Sequence, residues 1–158
     1  MPTEIEGDLD ASGKRYAIVS ARWHERFSET LLEGAVDALV RHGADEEDVL
    51  ICRCPGSFEI PQAAARIAQK VQVDAIVCLG VLVRGETPHF EYIAGEATSG
   101  IGQLGLQGEV PVAYGVLTCD TMEQALARSG SKAGNKGVEA AKAAVEMANL
   151  YEEIDETQ

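Results

Sequence analysis

Four runs of apolar residues recur along the chain, Tyr16–Val19, Val49–Cys52, Ala75–Val83 and Val112–Leu117. Each is continuously apolar where a half-exposed strand would alternate, which predicts strands buried on both faces of a parallel sheet. Between the first two, Leu32, Ala35, Val36, Leu39 and Val40 fall at i, i+3, i+4, i+7 and i+8, the stripe of an amphipathic helix. That helix should end at His42, with Gly43 placed to cap it. A second is expected from near Ser57 to about Lys70. A third is announced by Thr87 as N-cap and Pro88 as first helical residue. Thr121 with Gln124 three residues later reads as a capping box. A last helix from about Asn135 to Tyr151 carries Val138, Ala141, Val145 and Ala148 on one stripe. The alternation predicts a three-layer α/β/α fold around a four-stranded parallel sheet.

With 158 residues the chain has the length of one domain, expected to span 1–158, and 46% apolar against 25% charged residues suits a soluble protein with a sizeable core. Thirteen Lys and Arg face 26 Asp and Glu, a formal net charge of −13. That balance argues against a basic nucleic-acid binder or a polybasic membrane-surface protein. The charge is uneven. Glu4, Glu6, Asp8 and Asp10 at one end and Glu152, Glu153, Asp155 and Glu156 at the other form two acidic tails, 1–10 and 152–158, with no Lys or Arg. The start has neither a basic n-region nor an apolar h-region, so no signal peptide is expected. The longest apolar stretch, Ala75–Val83, has nine residues, where a spanning helix needs ~20. Cys52, Cys54, Cys78 and Cys119 form no CxxC pair; Cys52 and Cys78 read as small core residues and a zinc site is not expected. The expected location is cytoplasmic.

Ligands of open parallel sheets bind beyond the carboxyl ends of the strands, and the segments there are rich in functional groups. Strand one is followed by Arg22, Trp23 and His24, strand two by Arg53 and then Pro55-Gly56-Ser57-Phe58-Glu59. Strand three runs into Arg84-Gly85-Glu86-Thr87-Pro88-His89, strand four into Thr118, Cys119 and Asp120. His89, in the first turn of a helix, is disfavoured as a cation by the dipole and favoured as one by Glu86 and Glu91; it suits proton transfer, or it merely caps the helix at the surface. Arg128, Lys132 and Lys136 cluster in a Gly-rich stretch without Walker A spacing; they could hold an anion, or belong to a solvated helix connection. Trp23 could stack on a planar ligand or anchor packing. Gly100-Ile101-Gly102-Gln103-Leu104-Gly105 matches G-x-G-x-x-G but follows a helical stretch, so no dinucleotide site is expected.

Ala21-Arg22-Trp23, PGSFEIP at 55–61, GVLVRGETPHFEYIA at 80–94 and PVAYGVLTCDTMEQALARSGSKAGNKGVEAA at 111–141 strongly resemble the lumazine synthase family, in register from about residue 5 to residue 150. The resemblance implies a flavodoxin-like strand order, an N-terminal segment that pairs with a neighbouring subunit, and the penultimate reaction of riboflavin biosynthesis. In it 5-amino-6-(D-ribitylamino)uracil condenses with 3,4-dihydroxy-2-butanone 4-phosphate, giving 6,7-dimethyl-8-ribityllumazine, phosphate and water, with no metal or organic cofactor. By position, His89 resembles the proton donor and acceptor. Arg128 matches the arginine that grips phosphate, with Glu86 and Thr87 offering backbone N–H groups. Trp23 takes the place of the stacking aromatic. Ser57, Phe58 and Glu59 match the segment holding the ribityl chain and ring, and Val81, Leu82 and Val83 the strand end reading the ring edge. Tyr114 falls where an aromatic of the neighbouring subunit closes the pocket, and Lys136 corresponds to a lysine near the ligands.

Trp23 and Tyr114 stand where phenylalanine is common in the family, and Cys119 where threonine is common; Cys119 looks chemically incidental. The larger indole keeps open a rival expectation, a flavin-binding or storage protein on the same scaffold with weak catalysis. The resemblance also implies homopentamers with sites between subunits, sixty-subunit icosahedral shells in some members, and association with riboflavin synthase. The compact Ser129–Gly137 loop favours a shell.

Overall fold

A computed structural model describes residues 1–131 and 134–158. Its main elements are β1 (Tyr16–Ala21), α1 (Glu25–Arg41), β2 (Val49–Cys54), α2 (Ile60–Lys70), β3 (Ala75–Val83), α3 (His89–Gln107), β4 (Val112–Cys119), α4 (Met122–Arg128), β5 (Ser129–Ser131), β6 (Gly134–Asn135) and α5 (Lys136–Glu156). The first four strands form one parallel sheet in the order β2-β1-β3-β4, the expected arrangement. Two apolar layers cover it. Leu31, Leu39, Ala141 and Val145 of α1 and α5, with Ala125 of α4, pack on Ile18, Val77, Leu79 and Val81. On the other face Ile60, Ala64 and Ile67 of α2 and Ile101 of α3 pack on Val19, Ile76 and Cys78.

The central strands behave as the apolar runs predict: all six residues of β1 are buried, as are the first seven of β3. The edge strands do not. Leu50 and Ile51 of β2 and Tyr114 and Thr118 of β4 are exposed. An edge strand has a neighbour on one side only, and here the helices reach past the central pair only in part. The second helix is entered through a 3-10 turn, Ser57–Glu59, before α2 begins at Ile60. The third starts one residue later than expected: Pro88 holds the N-cap position, with no side-chain cap. The capping box forms with a shifted return bond. Thr121 Oγ1 accepts from the Gln124 N–H at 3.2 Å, but Gln124 Oε1 accepts from the N–H of Asp120, not Thr121. The G-x-G-x-x-G match lies inside α3, away from any phosphate-binding turn.

Two features bind the outer layer. Asn135 caps α5 by accepting from the N–H groups of Gly137 and Val138, and its amide donates to the Thr30 carbonyl of α1 at 3.0 Å. Beside it, Gly137 lets α5 approach α1 so closely that a Cβ there would run into the Leu31 backbone. The N-terminal segment lies against α5, where the buried Asn149 amide donates to the Asp8 and Asp10 carbonyls and to the Asp8 carboxylate. The second acidic tail is helical as far as Glu156. Lys14 pairs with Glu152 at 2.9 Å, so both tails gather near the amino end of β1.

Gly137→Ala should destabilise the protein by about 1–3 kcal/mol, the usual cost of forcing an atom into a packed contact. A denaturation midpoint equal to that of the parent would show that α1 and α5 do not meet this closely.

Candidate active site

The cleft is built where β1, β2 and β3 end. The N–H of Arg22 donates to the Cys54 carbonyl at 2.9 Å, carrying the β1–β2 ladder one residue further and setting Trp23 beside the turn after β2. The indole lies on Gly56, where a Cβ would stand 2.8 Å from Trp23 Cδ1. Trp23 is 69% exposed, so most of the indole lies outside the core of its own chain. His24 follows in the left-handed region (φ 59°, ψ 50°), the one non-glycine residue with positive φ among the described residues. Histidine tolerates that region better than most residues. The His24 carbonyl accepts from the N–H groups of Phe27 and Ser28 and so starts α1, while its side chain caps nothing and faces the cleft.

After β2, the 3-10 turn brings in Ser57, Phe58 and Glu59. Ser57 is 3% exposed, and its Oγ is buried beside Gly80 of β3 without a hydrogen-bond partner, an orphaned hydroxyl in the lining of the cleft. Beneath it Cys54 Sγ donates to the Gly56 carbonyl at 3.5 Å, and burial pushes the thiol up to about 11. A neutral thiol near pH 7 is no nucleophile. After β3, the turn at 85–88 leads to His89, the first residue of α3. The nineteen-residue α3 turns the positive end of its dipole toward this turn, which favours an anion there.

These segments enclose a cleft of about 550 Å³. Trp23, Ser57, Phe58 and Glu59 form one wall; Val81, Leu82, Val83, Thr87 and His89 form the other. Glu86 stands in the same turn, between the lining residues Gly85 and Thr87, with its own side chain exposed. Three expected site residues lie elsewhere. Tyr114 sits beside Cys78 in the β3–β4 register, about 10 Å along the strand before Val81, and its hydroxyl meets Thr98 Oγ1 at 2.9 Å. Arg128 ends α4 and Lys136 opens α5, both in the layer across the sheet from α2 and α3. Lys132 lies outside the described residues. Cys119 is buried at the end of β4, and its thiol is raised by that burial in spite of Arg128 nearby, so it stays protonated near pH 7.

The cleft also takes in His24, Phe90 and Ile93, which were not among the expected site residues. A signal for each exists: His24 continues the polar segment after strand one, and Phe90 and Ile93 sit three apart on the first turn of α3. No group of three metal-ligating side chains occurs among the described residues, and no described helix is long and apolar enough to cross a membrane.

A stacking face, an unpartnered hydroxyl, one carboxylate, two imidazoles and a helix N-terminus thus meet at the carboxyl edge of a parallel sheet. They define an α/β protein with an open cleft of mixed polar and apolar lining at the sheet's switch point. The chain belongs to the 6,7-dimethyl-8-ribityllumazine synthase family, whose model matches residues 13–152. Relatives bearing that name are 55% identical in Salinibacter ruber (98% of this chain, 99% of the relative), 50% in Chlorobaculum tepidum and 51% in Chloroherpeton thalassium (95% and 97% for both).

Trp23 is the only tryptophan, so its emission reports on the cleft. In a lone chain it should be that of a solvated indole, readily quenched by acrylamide. In an assembly a neighbouring chain can shield it, so the check is Gly56→Ala: the added methyl meets the indole and should shift the emission, and an unchanged spectrum would contradict the contact described.

Proposed function

We propose that this chain makes 6,7-dimethyl-8-ribityllumazine from 5-amino-6-(D-ribitylamino)uracil and 3,4-dihydroxy-2-butanone 4-phosphate, the penultimate step of riboflavin biosynthesis, in the cytoplasm. The observation that carries the reading is the meeting of Trp23, Ser57, Glu59, Thr87 and His89 in one cleft of a chain that belongs to this family. The pyrimidine stacks on Trp23, with its edge along Val81, Leu82 and Val83. Ser57, Phe58 and Glu59 hold the ribityl chain, where the Glu59 carboxylate and, once its rotamer turns toward the cleft, the unpartnered Ser57 hydroxyl suit a polyol. The phosphate sits at the Glu86–Thr87 turn, on backbone N–H groups and the helix dipole. His89, beside it, moves protons during imine formation, phosphate elimination and ring closure. Much of the acceleration comes from holding two reactants together.

The same reading makes residues 1–158 one domain and the working unit a homopentamer, with each site shared between neighbours. Tyr114, Arg128 and Lys136 lie outside the cleft of their own chain, as residues lent to an adjacent copy would. Leu50, Ile51, Tyr92 and Leu106 are exposed apolar side chains that an assembly would cover. The free edge of β2 is open to the N-terminal segment of a neighbour, and the short Ser129–Gly137 connection favours closure into a shell that can associate with riboflavin synthase.

A flavin-binding protein with weak catalysis is the second reading, favoured by the exposed indole face of Trp23. Activity decides between them. Purified protein should form lumazine without added metal, and Arg128→Ala should lower kcat/KM by about 10³-fold through loss of the phosphate's cationic partner. His89→Ala should cost less, about 10²-fold, since proximity survives. Absence of lumazine above the spontaneous background, with riboflavin quenching Trp23 at micromolar concentration, would favour the binder. Light scattering should give a particle of at least five chains; a monomer would remove the shared site.

A further inference from the structure

We propose that Arg84 is a positioning residue: it fixes the turn from Gly85 to His89 and thereby sets the affinity for the phosphate-bearing substrate. The inference rests on the reading of that turn as the anion site. Arg84 does not line the cleft. It stands on the far side of Phe90, in an adjoining groove with Glu91 and Asp120. Its backbone N–H donates to the Cys119 carbonyl at 2.8 Å, joining the end of β3 to the end of β4. Its side chain then makes three further contacts. Nε donates to Asp120 Oδ1 at 2.8 Å, Nη1 donates to Glu91 Oε1 at 2.8 Å, and the guanidinium lies over the Phe90 ring, 4.7 Å from its centre. One side chain therefore ties together β3, the residue after β4, and the first turn of α3.

The turn needs such a tie. Gly85, Glu86, Thr87 and Pro88 are all exposed, and among the described residues none of their side chains makes a hydrogen bond. Their one internal anchor is the Pro88 carbonyl, which accepts from Glu91 and Tyr92 inside α3. The place of Thr87 and His89 against the opposite wall thus depends on how the first turn of α3 is held. Ile101 and Thr98 fix the helix further along, and Arg84 is the side chain that ties its first turn to the sheet. A guanidinium serves two carboxylates and an aromatic face at once, which an ammonium does not. Exposed ion pairs stabilise a fold little, and Arg84 is 44% exposed, so the effect falls on position more than on stability. Position matters because a displacement of about 1 Å can slow a reaction ~100-fold.

The experiment compares the assembled parent with Arg84→Met, Arg84→Lys and the double variant Glu91→Gln/Asp120→Asn. Arg84→Met should raise the KM for butanone phosphate about tenfold while the KM for the pyrimidine stays within about twofold, with the melting temperature nearly unchanged. Arg84→Lys should fall between parent and Arg84→Met. The double variant separates geometry from charge. It makes the region beside the turn more positive by two charges, so a purely electrostatic role for Arg84 predicts a lower KM for the phosphate; loss of the tie predicts a higher one. Parent-like KM values in Arg84→Met, an equal rise for both substrates, or a lower phosphate KM in the double variant would each overturn the proposal. Hydrogen exchange gives a reading that needs no turnover. Amides from 85 to 91 should exchange several-fold faster in Arg84→Met, with those of β3 unchanged. A parent that makes no lumazine removes the functional reading and leaves this test standing, and unchanged exchange over 85–91 overturns the tie.

Discussion

Hydrogen bonding of β1 to a parallel strand on each side is the constraint from which the site follows. Parallel neighbours cannot be joined by a hairpin, so each passage between β1, β2, β3 and β4 carries a helix back over the sheet. The chain steps from β1 out to β2 and then returns across β1 to β3. Its direction reverses there, and the segments leaving β1 and β3 part toward opposite layers, into α1 and α3. The crevice between them is the cleft. Trp23 and His24 stand on one side of it because they follow β1, and Thr87 and His89 on the other because they follow β3.

The same geometry reconciles the acidity of the chain with the anion site proposed for its cleft. Asp10, Asp74 and Glu152 lie close enough to the buried Tyr16 hydroxyl to help burial raise its pKa, so the acidic groups gather at the amino end of β1. The cleft opens at the other end, six residues or about 20 Å along the strand. In physiological salt the Debye length is about 8 Å, and the tails contribute little field at the cleft. The groups nearest it are local: the α3 dipole, two imidazoles, the lining carboxylate of Glu59 and the exposed Glu86 of the turn.

The cleft walls are unequally supported. The Trp23 wall rests on backbone: the Arg22–Cys54 bond and contact with Gly56. The His89 wall rests on a salt-bridged side chain at a partly exposed corner. Support of the second kind holds geometry while adding little to stability, which suits the substrate-binding role proposed for this turn.

Much of this architecture was legible in the order of the residues. Unbroken apolar runs such as Ala17–Val19 and Ile76–Leu79 signal strands that shed water on both faces, and Leu32, Ala35 and Leu39 signal the helix that covers them; these patterns are local and survive any detail of packing. The motifs at the strand ends likewise named both walls of the cleft. What sequence alone misjudged depends on neighbours. Leu50 and Ile51 read as buried but are exposed, because whether a strand is central or at an edge is decided by pairing across the sheet. His24, Phe90 and Ile93 carry local signals, position after strand one and spacing on a helix turn, but the backbone turn after β1 and the angle of α3 decided that they face the cleft. The placement of Arg128, Lys136 and Tyr114 away from that cleft was also decided only in three dimensions, by the assignment of α4 and α5 to one face of the sheet and by the β3–β4 register. Local chemistry determined which residues could act; burial and strand order, which depend on contacts distant in sequence, determined which of them meet.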